Sequence, residues 1–222
     1  MSTYVVRIWI PDRPGALGAV ASRIGAVRGD LIGIDILERG AGLAIDELVV
    51  TLPDDSLVPL LVHEIGEVDG VAVEDLRPVA AGAIPDPRLA ALETAAYLAE
   101  QTSPEDVLAA LVVHAAADFE AMWAAVVEED AGSIHAAVGE VPPAPWITAF
   151  VAGSRTTSDA SGPDDIAWAR LARSGLDVVL GRPGRPVRQR ERQQLSALAR
   201  IADLRWTELA RGSALRLHPS AV

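Results

Sequence analysis

Within its first eighty residues the chain switches repeatedly between a two-residue and a 3.6-residue hydrophobic period, and each switch marks a change of secondary structure. Residues 4–10 read as a strand, with Ile8 and Ile10 on one face. The turn-forming run Pro11, Asp12, Arg13, Pro14, Gly15 ends it. Leu17, Val20, Ile24 and Val27 then recur at helical spacing over residues 15–28, and Gly29 and Asp30 close that helix. Residues 31–38 and 43–52 read as strands joined by the Gly40, Ala41, Gly42 turn. Pro53, Asp54 and Asp55 open a second helix carrying Leu57, Leu60, Leu61 and Ile65, and residues 71–79 form a last strand. The order βαββαβ can close as a four-stranded antiparallel sheet with both helices on one face.

The run AAGAIPDP at residues 80–87 changes the grammar. The reading assigns residues 1–80 to a first domain, 81–87 to a linker, 88–212 to a second domain and 213–222 to a tail. In the second domain, helices are expected over 88–101 and 103–117, the latter with a serine cap and a proline in its first turn. Strands are expected over 118–128, 133–141, 165–172 and 176–182. A short helix is expected over 146–152 and a long amphipathic one over 186–209.

Composition removes several kinds of chemistry. The chain has no cysteine, which excludes disulfides, thiol catalysis and cysteine-held metals or clusters. All nineteen of its basic residues are arginine, so P-loop, kinase and Schiff-base lysines are excluded too. The net charge of −12 disfavours nucleic acid as a partner. No signal-peptide layout or run of about 20 apolar residues is seen, and the expectation is a cytoplasmic protein with no membrane contact.

The element order, together with Asp12, Arg13, Pro14, Gly15, Ala16 and Leu17 in the pattern D-R-P-G-x-L, resembles the ACT domain, a small amino-acid-binding regulatory module. The resemblance implies a ferredoxin-like βαββαβ fold. It also implies a ligand site at a dimer interface, between this turn and the start of strand two, at Leu31, Ile32, Gly33 and Ile34 of a neighbouring subunit. Serine-binding members carry polar residues where this chain has Ile10 and Leu31, so an amino acid with an apolar side chain is the implied ligand. More weakly, the helix pair, the paired strands, the run Asp177, Val178, Val179, Leu180, Gly181, Arg182 and the arginine-proline turn before a long helix resemble a GAF-like domain. The implied whole is an α+β chain: an ACT domain followed by a GAF-like α/β sandwich with flanking helices.

Several residues carry two readings. Asp12 either caps the first helix or holds a ligand ammonium group. Arg13 either meets a carboxylate or is a solvated side chain. His63, His114, His135 and His218 fall in four separate elements. His63 and Glu67, four apart on a helix, read as a surface pair, and no metal site or cofactor is expected. No nucleophile stands beside a base, and no catalytic residue is expected. From Arg182 to Arg216, nine arginines oppose only Glu191, Asp203 and Glu208. That run is either an interaction surface or is neutralised by acidic segments. The functional expectation is a non-enzymatic amino-acid sensor, working as a homodimer and reporting to a protein partner. The alternative is a ligand-free module for dimerisation and partner docking.

Overall fold

The computed structural model describes residues 1–80, 86–156 and 163–217, with backbone alone at 156 and from 213 onward. The chain divides into two compact units, Met1–Asp86 and Pro87–Val222. Among the described residues the fold is α+β, with two four-stranded antiparallel sheets and six α-helices. Among the described residues no helix is long and apolar enough to cross a membrane. Most of the proposed linker, residues 81–85, lies outside the described residues, as do the last five residues of the proposed tail.

The first unit runs β1 (Ser2–Pro11), α1 (Ala16–Ala26), β2 (Asp30–Gly40), β3 (Leu43–Leu52), a 3-10 turn at Asp55–Leu57, α2 (Val58–Gly66) and β4 (Ala72–Pro78). The strands lie in the order β2-β3-β1-β4, the ferredoxin-like arrangement that the element order implies. Val6, Ile8 and Ile10 of β1 and Leu48 and Val50 of β3 face one way. They form one core with Val20 and Ile24 of α1 and Leu61 and Ile65 of α2. Alternation in the strands and a 3.6-residue stripe in the helices therefore bury a single shared face.

The second unit comprises α3 (Pro87–Glu100), α4 (Pro104–Asp118), β5 (Trp123–Glu128), β6 (Ser133–Gly139), α5 (Ala144–Thr156), β7 (Ile166–Leu171), β8 (Leu176–Gly181) and α6 (Gln189–Leu217). Its strand order is β6-β5-β8-β7, two hairpins joined through the central pair. The sheet is covered on both faces. Ala124 and Val126 of β5 join Leu98, Leu111 and Leu195 from α3, α4 and α6, while Trp123, Ala125 and Val127 join Ile147 and Val151 of α5. At one end of the sheet Trp123 pairs with Gly139 on one side and Gly181 on the other. A β-carbon on Gly181 would come within 2.5 Å of the Trp123 ring, and one on Gly139 (φ +77°) within 2.0 Å of the Met122 carbonyl oxygen. Both positions therefore require glycine.

Three elements depart from the sequence expectation. The strand expected from residue 118 begins at Trp123, because α4 continues to Asp118 and is then closed by amides turned back on it. Phe119 N–H bonds to Ala115 O at 3.1 Å and Ala121 N–H to Ala116 O at 2.8 Å, with Glu120 at φ +47°. Helix α5 is longer than the expected 146–152, because Gly153 to Thr156 continue its backbone. The last helix starts at Gln189 rather than 186 and runs past 209 to Leu217. Its start is fixed by the Glu191 carboxylate, which accepts the Arg188 N–H at 2.7 Å, the reach-back half of a capping box.

Asp203, buried in α6, holds the β7–β8 turn: its Oδ2 accepts Arg173 N–H at 2.7 Å and its Oδ1 accepts Ser174 N–H at 3.0 Å. Asp203→Ala should lower stability by about 2 kcal/mol, and Asp203→Asn, which keeps one acceptor oxygen, by less. Urea unfolding followed by tryptophan fluorescence reads the difference, and equal losses in the two variants would refute the carboxylate's role.

Candidate functional site

The β1–α1 turn is built so that the first amides of α1 have no capping side chain. Gly15 occupies the N-cap position at φ 87°, ψ −16°, a left-handed conformation that favours glycine, and no side chain caps it among the described residues. Arg13 N–H bonds to Pro11 O at 2.8 Å, Ala16 N–H to Arg13 O at 3.3 Å and Ala19 N–H to Gly15 O at 3.0 Å. The amides of Leu17 and Gly18 lie between these, in the turn where the helix dipole favours an anion. Capping by Asp12 is thereby overturned. Asp12 sits three residues before the N-cap, and its contribution to the turn is a backbone bond, N–H to Gly42 O at 2.9 Å.

Asp12, Arg13, Pro14 and Gly15 are exposed, Ala16 is buried in the core and Leu17 packs partly against it. The Arg13 guanidinium stands 3.4 Å from Asp69 Oδ2, with both side chains largely exposed, a pair of small energetic weight. On β2, Leu31 packs against the core, and Gly33 lies so close to Val49 that a β-carbon would meet it at 3.1 Å. Ile10 is 3% exposed and belongs to the core, so the idea that it would line a ligand pocket is corrected. The apolar groups open to a ligand or a partner on β2 are Ile32, Ile34 and Ile36, at 38%, 44% and 36% exposure. Because β2 is the edge strand of its sheet, they stand at the rim of the fold.

Sequence reasoning missed Asp46. It lies on β3 between Ile8 of β1 and Ile36 of β2, on the face that α1 and α2 cover. It is 4% exposed, and its Oδ1 has no hydrogen-bond partner among the described residues. Burial pushes its carboxyl above the usual aspartate range; the charge of Arg39 opposes that rise, and Asp12 and Asp35 add to it. The available signal was a polar residue interrupting the inward series Ala44, Leu48, Val50, Leu52 of one strand.

Several arginines of the C-terminal run engage their own unit. Arg182 pairs with Glu191 at 2.6 Å, Arg185 with Glu120 at 2.6 Å, and Arg205 with Glu208 at 2.8 Å while also bonding Gln101 O. His135 pairs with Glu128 at 3.0 Å and His114 rests against the Tyr97 ring. Among the described residues no group of three or more histidines and acids is placed to hold a metal.

No family model matches the chain, and no curated protein matches it. Solved structures similar to it include the ACT domain from GTP pyrophosphokinase of Chlorobium tepidum, at 15% identity and a TM-score of 0.29, covering 36% of this chain and all of that one. An unknown protein from Galdieria sulphuraria is 14% identical with a TM-score of 0.32, covering 43% of this chain and 64% of the other. A formyltetrahydrofolate deformylase from Pseudomonas putida KT2440 is 16% identical with a TM-score of 0.29; the match covers 43% of this chain and 36% of the deformylase.

Proposed function

We propose that the chain is a non-enzymatic regulatory protein whose first unit binds an amino acid with an apolar side chain, in a homodimer, and whose second unit is a GAF-like module serving assembly. The observation that carries the reading is the uncapped start of α1 behind the Asp-Arg-Pro-Gly turn, in a unit whose edge strand exposes three isoleucines. The amides of Leu17 and Gly18 take the ligand carboxylate. An acidic side chain takes the ammonium group, and Ile32 and Ile34 of a neighbouring subunit cover the side chain. Full burial of an apolar side chain is worth about 1.5–3 kcal/mol, or roughly tenfold to a hundredfold in affinity. Leucine, valine or phenylalanine should therefore bind more tightly than serine.

Calorimetric titration of these four amino acids into wild type and Asp12→Ala tests the reading. Tightest binding by serine would refute the apolar site, and unchanged affinity in Asp12→Ala would remove Asp12 from it. Sedimentation should show a dimer at micromolar concentration. The exposed Leu89 and Leu92 of α3 and Val113 of α4 support the second reading, a ligand-free docking module. It becomes the better one if none of the four amino acids binds at millimolar concentration.

A further inference from the structure

We infer that Asp46 is the anchor for the ligand's ammonium group, reached from the β2 edge past Ile36. The inference rests on the amino-acid reading above and adds to it a residue outside the turn and outside β2. The carboxyl is held among apolar neighbours. Ile8, directly opposite on β1, is fully buried, and Ala44 and Leu48, two positions away on the same face of β3, belong to the core. On the other side stands Ile36, directly opposite on β2 and 36% exposed. Asp46 thus lies one strand in from the rim of the sheet, behind an isoleucine that solvent reaches. A buried acceptor left without a donor is costly in a folded protein, and here an incoming cation would satisfy it.

The turn supplies the other half. The strand register brings it close: Ala44, two residues from Asp46 on the same face of β3, pairs with Ile10, and Leu43 pairs with Pro11, where the β1–α1 turn begins. An α-amino acid carries its ammonium and carboxylate on one carbon, and it needs a donor cluster and a carboxylate side by side. The uncapped α1 amides and Asp46 supply that pair, with the dipole of α1 favouring the carboxylate at its N-terminus. Asp12, exposed at the mouth of the turn, then contributes through solvent-screened charge and matters less than Asp46.

The test is calorimetric titration of L-leucine, and of 4-methylpentanoate (the same acid without its amino group), into full-length wild type, Asp46→Asn and Asp12→Asn. Asp46→Asn should lose roughly tenfold or more in leucine affinity, the worth of a hydrogen bond to a charged group. It should bind 4-methylpentanoate no more weakly than wild type does, and Asp12→Asn should lose less for leucine. The Asp46→Asn variant should also melt no lower than wild type, since an amide there need not ionise. Unchanged leucine affinity in Asp46→Asn, or equal losses for both compounds, would overturn the anchor while leaving the amino-acid reading in place. Failure of wild type to bind leucine would overturn that reading and the anchor with it.

Discussion

Replacing Arg182 with alanine should cost the second unit about 3–5 kcal/mol, the scale of removing one member of a buried ion pair. Arg182 is 4% exposed at the end of β8. Its Nε donates to Arg185 O at 3.0 Å, Nη1 to Phe119 O at 3.0 Å and Nη2 to Pro186 O at 2.6 Å. The same fork grips Glu191 with Nη1–Oε1 at 2.6 Å and Nη2–Oε2 at 2.7 Å, and Glu191 in turn accepts the Arg188 N–H that starts α6. One guanidinium thus ties the end of α4, the turn after β8 and the first turn of α6 together. Alanine removes one donor from each of three carbonyls and leaves the Glu191 carboxylate without the guanidinium that pairs with it. Arg182→Lys keeps the charge but cannot span these acceptors and should fall between wild type and alanine. Four of the five tryptophans (Trp123, Trp146, Trp168 and Trp206) lie in this unit, so fluorescence-detected urea unfolding reports the loss directly. A change under about 1 kcal/mol, the worth of an exposed pair, would show that the turn holds without Arg182.

The contrast between Arg182 and the elements around it shows what could be read from residues alone. The strand β8 and the long helix after it were legible, because period-2 and period-3.6 patterns are local. The role of Arg182 was not: its Phe119 contact lies 63 residues away, and an arginine beside a proline turn looks the same whether it is solvated or buried. The α4–β5 boundary was missed for a different reason. Residues 108–127 are dominated by alanine and valine, which carry no clear period, and the helix ends through backbone bonds and a positive φ at Glu120 rather than at a glycine or proline. In the first unit the turn at Asp12 to Gly15 was legible because its residue types are demanded by geometry. Asp46 was legible only as a fault in an alternating strand. Sequence patterns name the face a residue is on, and the partners that decide its charge come from other strands.

The first unit offers the complementary case, and Arg7→Met is its sharpest test. Arg7 and Glu47 stand opposite each other in the β1–β3 ladder, on the face away from Ile8 and Asp46. Arg7 is fully buried; its Nη2 lies 2.8 Å from Glu47 Oε1, its Nε lies 3.1 Å from the same oxygen, and Arg77 Nη1 reaches that oxygen at 3.0 Å. Burial alone would raise the Glu47 carboxyl, but the charges of Arg77 and Arg7 and their hydrogen bonds overcome it and hold the group below the usual glutamate range. Methionine fills much of the arginine stem's volume while removing the charge, so the expected loss at pH 7 is about 3 kcal/mol, from a buried glutamate that keeps Arg77 but loses its other cation. The pH dependence has a definite sign. A carboxylate whose pKa is depressed by folding adds stability above its ordinary pKa, near 4.5 for glutamate, and loses that contribution as pH falls through the lower folded value. The gap between wild type and Arg7→Met should therefore narrow below pH 4.5. Asp46, the preceding residue on the opposite face, has a raised carboxyl, so its cost is relieved as pH falls toward the ordinary aspartate range and its contribution runs the other way. Comparing Arg7→Met with Asp46→Asn across this range separates the two faces of one strand. A gap that is constant with pH would mean that Arg7 acts by packing and not through the Glu47 charge.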